Sequence, residues 1–294
     1  MRMTRRQFGI AAIASVSGPV GAQEDSGPRI ERVASGFRFA EGPVWSHEGF
    51  LLFSDVPNNR VLKYVPGEKP AVLREDSNGA SGNAFDTQGR FYTCEGRTRR
   101  VVRIDKKGEM QVLAEKWEGK RFNAPNDIVV RRDGHTYFTD PAFGAQADTR
   151  ELDFYGVFHI APKGELRVVA KPAGRPNGIA FSPNGRILYV ANSDERNVRA
   201  YDVDHNGDLS RERVLISGVE GVPGGIRVDE KGNLYLASAR VWIYDAQGKP
   251  VESLEVPETP SNCAFGDGDL HSLYITARNG VYRSRREVKG ALQY

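Results

Sequence analysis

The feature that most constrains this chain is a pattern that recurs six times: a small or polar residue, an apolar run, a turn containing glycine, and a second apolar run. The copies are EGPVWSHEGFLLFSD from Glu41, SGNAFDTQGRFYTCE from Ser81, NDIVVRRDGHTYFTD from Asn126, NGIAFSPNGRILYVANS from Asn177, GGIRVDEKGNLYLAS from Gly224 and SNCAFGDGDLHSLYITA from Ser261. The sixth is the loosest, because its turn is longer. In each copy the apolar runs have strand length and composition, and the linking turn carries the glycine that a tight hairpin needs.

Copies begin roughly 40–50 residues apart, the spacing of propeller blades and too long for leucine-rich or ankyrin repeats, which would also need helices. Further strand-like runs at residues 101–104, 157–160 and 241–244 allow about four strands per unit. A single blade leaves both faces of its sheet exposed, so the units must stack around an axis. The expected fold is all-β, a six-bladed β-propeller formed by residues 23–294, with residues 30–33 supplying the outer strand of the last blade.

Residues 1–22 are read separately. Thr4-Arg5-Arg6-Gln7-Phe8-Gly9-Ile10, a short apolar run and Val20-Gly21-Ala22 resemble a twin-arginine export signal with its cleavage site, so a periplasmic location is expected. The apolar stretch is too short to span a bilayer, so no membrane association is expected after signal removal. Without Arg2, Arg5 and Arg6 the basic residues number the same as the 38 acidic ones, and a neutral mature chain gives no reason to expect nucleic acid as a partner. Cys94 and Cys263 are read as buried and unpaired; no Cys or His spacing matches a zinc site.

Aligned on their turns, the copies place Glu41, Ser81, Asn126, Asn177, Gly224 and Ser261 at one position, where the innermost strand begins and faces the central channel. One carboxylate, two amides and two hydroxyls are hard oxygen donors, suited to calcium or magnesium more than to a tight zinc site.

The segments EGPVW, FSDVPNNRV, APNDIVV with YFTDPAFG, RPNGIAFSPNG, VDEKGNLY and SNCAFG resemble, in order and over nearly the whole mature chain, the gluconolactonase branch of the SMP-30/gluconolactonase/luciferin-regenerating-enzyme family. The resemblance implies a six-bladed propeller that binds one divalent cation at the channel mouth and opens sugar lactones. Calcium is the first expectation, with zinc, magnesium or manganese as alternatives. It further implies that Glu41 and Asn177 bind the metal directly, with Asn126 touching the metal, its water or the substrate.

One departure stands out. Where the family reads Pro-Asp-Gly, its Asp being a metal ligand and general base, this chain reads Pro223-Gly224-Gly225. Loss of that carboxylate weakens a hard-metal site and removes the group that activates water. Asp127, Asp140 and Asp194 are candidate substitutes: Asp127 adjoins the column, although strand alternation points it away from Asn126, and Asp140 and Asp194 follow second strands near the mouth. Ser81, Ser261, Asn262, Arg60 and Phe143 are candidates for lining the channel and contacting substrate. The expected function is metal-dependent hydrolysis of a small lactone. The alternatives are a binding or sensing protein without turnover, or a hydrolase of an organophosphate or aryl ester.

Two further signals are set aside. Asp202 to Gly207 matches the start of an EF-hand loop, but Arg213 stands where a bidentate Glu is needed, so the segment is read as a hairpin turn. Arg97-Thr98-Arg99-Arg100 is read as a solvated turn and strand face.

Overall fold

The computed structural model describes residues 29–292; the expected export signal lies outside the described residues. Twenty-four of the strands form six four-stranded antiparallel sheets, arranged as a six-bladed propeller. Blade I begins with the inner strand Ala40–Ser46, blade II with Ala80–Phe85, blade III with Ile128–Val130, blade IV with Pro176–Phe181, blade V with Ile226–Val228 and blade VI with Pro260–Gly266. Each repeat copy supplies the inner hairpin of one blade. Ile30–Ser35 pairs antiparallel with Gly280–Arg285, so the start of the propeller forms the outer strand of its last blade, as expected.

The apolar residues collect in six clusters, one at each junction between neighbouring blades. Val44, Leu52 and Val61 of blade I meet Ala80 and Phe85 of blade II, and Trp45, Leu51 and Phe53 of blade I meet Ala264 and Tyr274 of blade VI. The other four junctions are built the same way. The alternation of each strand therefore packs one set of side chains against the preceding blade and the other set against the following one. Cys94 and Cys263 are free and fully buried in two of these clusters. Residues 204–207 form the turn between Asn197–Val203 and Leu209–Ile216, as read from the sequence.

Around the axis the inner strands are stitched blade to blade through the carbonyls of the column residues. Ser81 accepts from Ser54 Oγ (2.9 Å), Asn126 from the Gly82 amide (2.7 Å), Asn177 from Thr139 Oγ1 (2.7 Å), Gly224 from the Gly178 amide (3.1 Å) and Ser261 from the Gly225 amide (2.8 Å). Ser261 Oγ donates to the Ala40 carbonyl (2.6 Å), joining blade VI to blade I.

Strand pairing is irregular at this same level. Register shifts fall between Glu41 and Val44, Ala80 and Asn83, Pro176 and Ile179, and Pro260 and Asn262. In blade III Asn126 and Asp127 together oppose Thr139, and in blade V Gly224 and Gly225 together oppose Ala237. A bulge breaks the two-residue alternation and re-aims side chains, so both the column residue and its successor can turn toward the axis.

Candidate active site at the channel mouth

Glu41, Ser81, Asn126, Asn177, Gly224 and Ser261 all line one cavity of about 450 Å³ at one end of the channel, the convergence expected from the repeat. Phe143 lines it as well. The other end is different in kind. There Val44, Ala84, Val129 and Ala264 enclose a space of about 50 Å³ with Ala291 and Leu292 of the C-terminal tail, whose Ala291 amide donates to the Val228 carbonyl (3.0 Å). Asn83 and Arg227 also line that space, whereas the oxygen donors of the column gather at the first mouth.

Glu41 is buried. Its Oε1 accepts a hydrogen bond from Asn262 Nδ2 (3.2 Å), while its Oε2 is buried without a partner. Burial, followed by the nearby charge of Asp127, pushes its pKa up to about 7. Asn126 Oδ1 is a second buried acceptor without a partner. Asn177 commits its amide nitrogen to Ser193 Oγ (3.1 Å) and to the Pro223 carbonyl (3.3 Å), which leaves its oxygen for a ligand. Buried oxygens left unpaired are costly, and a hard cation is the ligand that would satisfy such a set. The donor set therefore fits a divalent cation held by Glu41, Asn126 and Asn177. Among the described residues no group of three His, Cys, Asp or Glu side chains is placed to hold a metal, so a cation at this mouth would take its remaining donors from amide oxygens.

Beneath the mouth the residues following the column are Gly42, Gly82, Asp127, Gly178, Gly225 and Asn262. Asp127 and Asn262 fill the axis, and the glycines make room for them. A Cβ at Gly225 would overlap the Asn262 amide, and one at Gly82 would meet the Asp127 backbone and side chain. Asp127 accepts from the amides of Ile128 (2.9 Å) and Ile179 (3.3 Å) and lies 3.6 Å from the Arg227 guanidinium. Burial raises its pKa against the pull of Arg227.

The candidate substitutes for the missing carboxylate are placed elsewhere. Asp127 sits below the mouth lining and pairs with Arg227. Asp140 accepts from the amides of Asn123 and Ala124 (both 2.8 Å), three and two residues ahead of Asn126; burial raises its pKa to about 7. Asp194 accepts from the Arg175 amide (2.8 Å), two residues ahead of Asn177, and also binds the Arg175 guanidinium, which holds its pKa below the usual carboxylate range. Asp55 makes the same kind of clamp, accepting from the amides of Arg38 (3.0 Å) and Phe39 (3.3 Å) ahead of Glu41. These acids fix the loops that deliver the column residues, and the structure leaves none of them facing the cavity.

Two of the expected channel residues also move. Arg60 is paired with Asp55 (3.1 Å) and is not among the cavity-lining residues, and Asn262 lies one level below it, bonded to Glu41. Arg99, expected on a solvated face, is buried and donates to the Thr149 carbonyl (2.9 Å).

Sequence reasoning did not single out Phe39, Val222, Thr259 and Arg278, which line the mouth. The first three stand two residues ahead of Glu41, Gly224 and Ser261, so extending the repeat alignment upstream would have found them. Arg278 directly follows the sixth copy.

The fold is that of a six-bladed propeller with a ring of oxygen donors at one channel mouth. Residues 39–279 match the SMP-30/Gluconolactonase/LRE-like region, and the chain belongs to that family. It is 32% identical to the gluconolactonase of Zymomonas mobilis over 314 aligned residues, 96% of this chain and 88% of that one. With the pentonolactonase XacC of Haloferax volcanii it shares 29% identity, covering 83% of this chain and 82% of that one. Among solved structures, the gluconolactonase XC5397 of Xanthomonas campestris superposes with a TM-score of 0.82 at 32% identity, over 88% of this chain and 89% of that one.

Proposed function

We propose that the protein is a divalent-metal-dependent hydrolase of small lactones, with calcium as the metal. The observation that carries this reading is the convergence of Glu41, Asn126 and Asn177, with unpartnered buried oxygens on Glu41 and Asn126, at one mouth of the channel. The similarity to gluconolactonases and a pentonolactonase supports the substrate class.

A cation held by Glu41, Asn126 and Asn177 would supply Lewis acidity toward the lactone carbonyl and toward water. The protein's own residues hold and shape the site. Glu41 supplies the negative charge at the floor, with one oxygen fixed by Asn262. Ser193 and Pro223 orient the Asn177 amide. Phe39, Val222 and Phe143 wall the mouth with apolar surface, which keeps bulk water from competing for the carbonyl. Among the described residues Glu41 is the only carboxylate in the lining, and none of them offers a second acid there to act as a base.

That gap favours one other reading, a propeller that binds a ligand without turning it over. The two are separated by assaying glucono-1,5-lactone with metal-stripped protein and with protein given calcium, magnesium, manganese or zinc. Turnover that depends on metal and vanishes in Glu41→Ala supports the hydrolase. Metal binding without turnover of any lactone supports the binding protein. We also propose export to the periplasm, on the strength of Arg5-Arg6 and the apolar run after them; cell fractionation with and without Arg5→Lys/Arg6→Lys tests it.

A further inference from the structure

The mouth lining contains two charged residues, Glu41 at the floor and Arg278 at the rim. Arg278 is exposed and, among the described residues, makes no ion pair. By contrast, Arg60 is paired with Asp55 and Arg175 with Asp194, and neither lines the cavity. Glu258, the acid adjoining this turn, spends both oxygens on the Asn279 amide (2.8 Å) and the Tyr282 hydroxyl (2.7 Å).

The backbone under Arg278 is fixed. It lies in the two-residue turn between the paired residues Ala277 and Gly280, with φ of 38°, and its carbonyl accepts from the Ala40 amide (2.8 Å) across the blade VI to blade I junction. Glycine or asparagine fits that left-handed conformation better than arginine does. Arg99, Arg196 and Arg211 adopt the same conformation, so what distinguishes Arg278 is its place in the mouth lining.

Around it the walls are apolar. Phe39 and Val222 remain 40% and 59% exposed, so they face the opening without being covered by the protein. Phe39 and Val222 suit an apolar stem, and they strengthen the pairing of a guanidinium with an anion beside them. Gly224, in place of an acid, leaves no second carboxylate in the lining to repel an anionic ligand.

We propose that the mouth accepts a lactone whose ring substituent is a short apolar arm ending in a carboxylate, and that Arg278 receives that carboxylate. This rests on the lactone reading above. The test compares two five-membered lactones that share a ring and an arm: γ-heptalactone, ending in methyl, and the γ-lactone of 4-hydroxyheptanedioic acid, ending in carboxylate. Both are given to the metal-loaded wild type, Arg278→Gln and Arg278→Lys, with melting curves to confirm folding.

Wild type is expected to favour the carboxylated lactone by about tenfold in kcat/KM, the scale of one charge-assisted pair, mainly through KM. Arg278→Gln erases the preference and Arg278→Lys retains part of it. No preference in wild type, or a preference that survives in Arg278→Gln, overturns the proposal while leaving the lactonase reading intact. Turnover of glucono-1,5-lactone but of neither test lactone overturns the proposal and leaves the lactonase reading intact; turnover of none of the three defeats that reading, and calorimetry with 4-hydroxyheptanedioate then decides the role of Arg278. Tighter binding by wild type than by Arg278→Gln sustains that role; equal or absent binding refutes it.

Discussion

Burial leaves one oxygen of Glu41 without a partner and places the carboxylate near Asp127, so the metal-free site works against folding. Glu41→Gln removes the buried charge and the like-charge contact. The metal-free variant is therefore expected to melt no lower than metal-free wild type, whereas the rise in melting temperature on adding calcium is lost and calcium affinity by calorimetry falls at least about tenfold. A variant that loses stability without metal and keeps its response to calcium would remove Glu41 from the metal site.

A second prediction at this scale concerns His159, which is buried in blade III with its Nε2 2.6 Å from His135 Nδ1. Burial, then the charge of His135, lowers its pKa to about 4. Between the ordinary histidine value of about 6.5 and that value, the unfolded chain holds a proton that the folded chain refuses, so stability falls as pH falls through the window. Arg131, Arg167 and Asp133 face the same pair, and the two arginines push in the same direction. His159→Phe removes this dependence. By urea denaturation at pH 7.5 and pH 4.5, wild type should lose more stability than the variant on going to the lower pH, and equal losses would contradict the assignment.

The inner strands show how far the sequence could be read. Blade count, hairpin positions and the column from Glu41 to Ser261 were legible, because each repeat copy carries its own turn glycine and apolar period. The depth of Asp127 and Asn262 was not, because alternation is the rule that was applied and a bulge at the column breaks it. Asp140 and Asp194 misled for another reason: an acid at a strand end looks the same in sequence whether it faces a cavity or clamps a loop.

Gly224 and Gly225 gain a structural meaning from the same level. A Cβ at Gly224 would overlap the Ser261 carbonyl oxygen, so Gly224→Asp requires the inner strands of blades V and VI to part. It is expected to lower stability by about 1–3 kcal/mol whatever it does for the metal. Gly225→Ala should cost a similar amount, and because its Cβ falls on the Asn262 amide, Asn262→Gly should recover a large part of the loss. A double-mutant cycle by chemical denaturation measures that coupling; strict additivity would show that the two residues do not compete for one space.

For the whole molecule the question is what closes the ring. Six blades packed by six apolar junctions leave one place where covalent continuity cannot help, between the first and last blades, and Ile30–Ser35 spans it. Its register runs from Ile30 opposite Ser284 to Ser35 opposite Gly280, and Glu31 pairs with Arg283 at 2.6 Å. Ala34 is buried and Val33 packs into the junction of blades VI and I. Deleting residues 1–35 removes these contacts and exposes the Gly280–Arg285 edge, which has no other strand to pair with. The C-terminal tail contributes differently, closing the opposite end of the channel through the Ala291 amide and the bridge between Asp229 and Gly290. Deleting residues 287–294 should therefore leave metal binding in place and lower the melting temperature modestly. Deleting residues 1–35 should cost more than about 3 kcal/mol or drive the chain to pair edge to edge, visible as larger species by size-exclusion chromatography. If the N-terminal deletion stayed monomeric and melted with wild type, closure would have to reside in the blade junction alone, and the strand would be an ornament on a ring already shut.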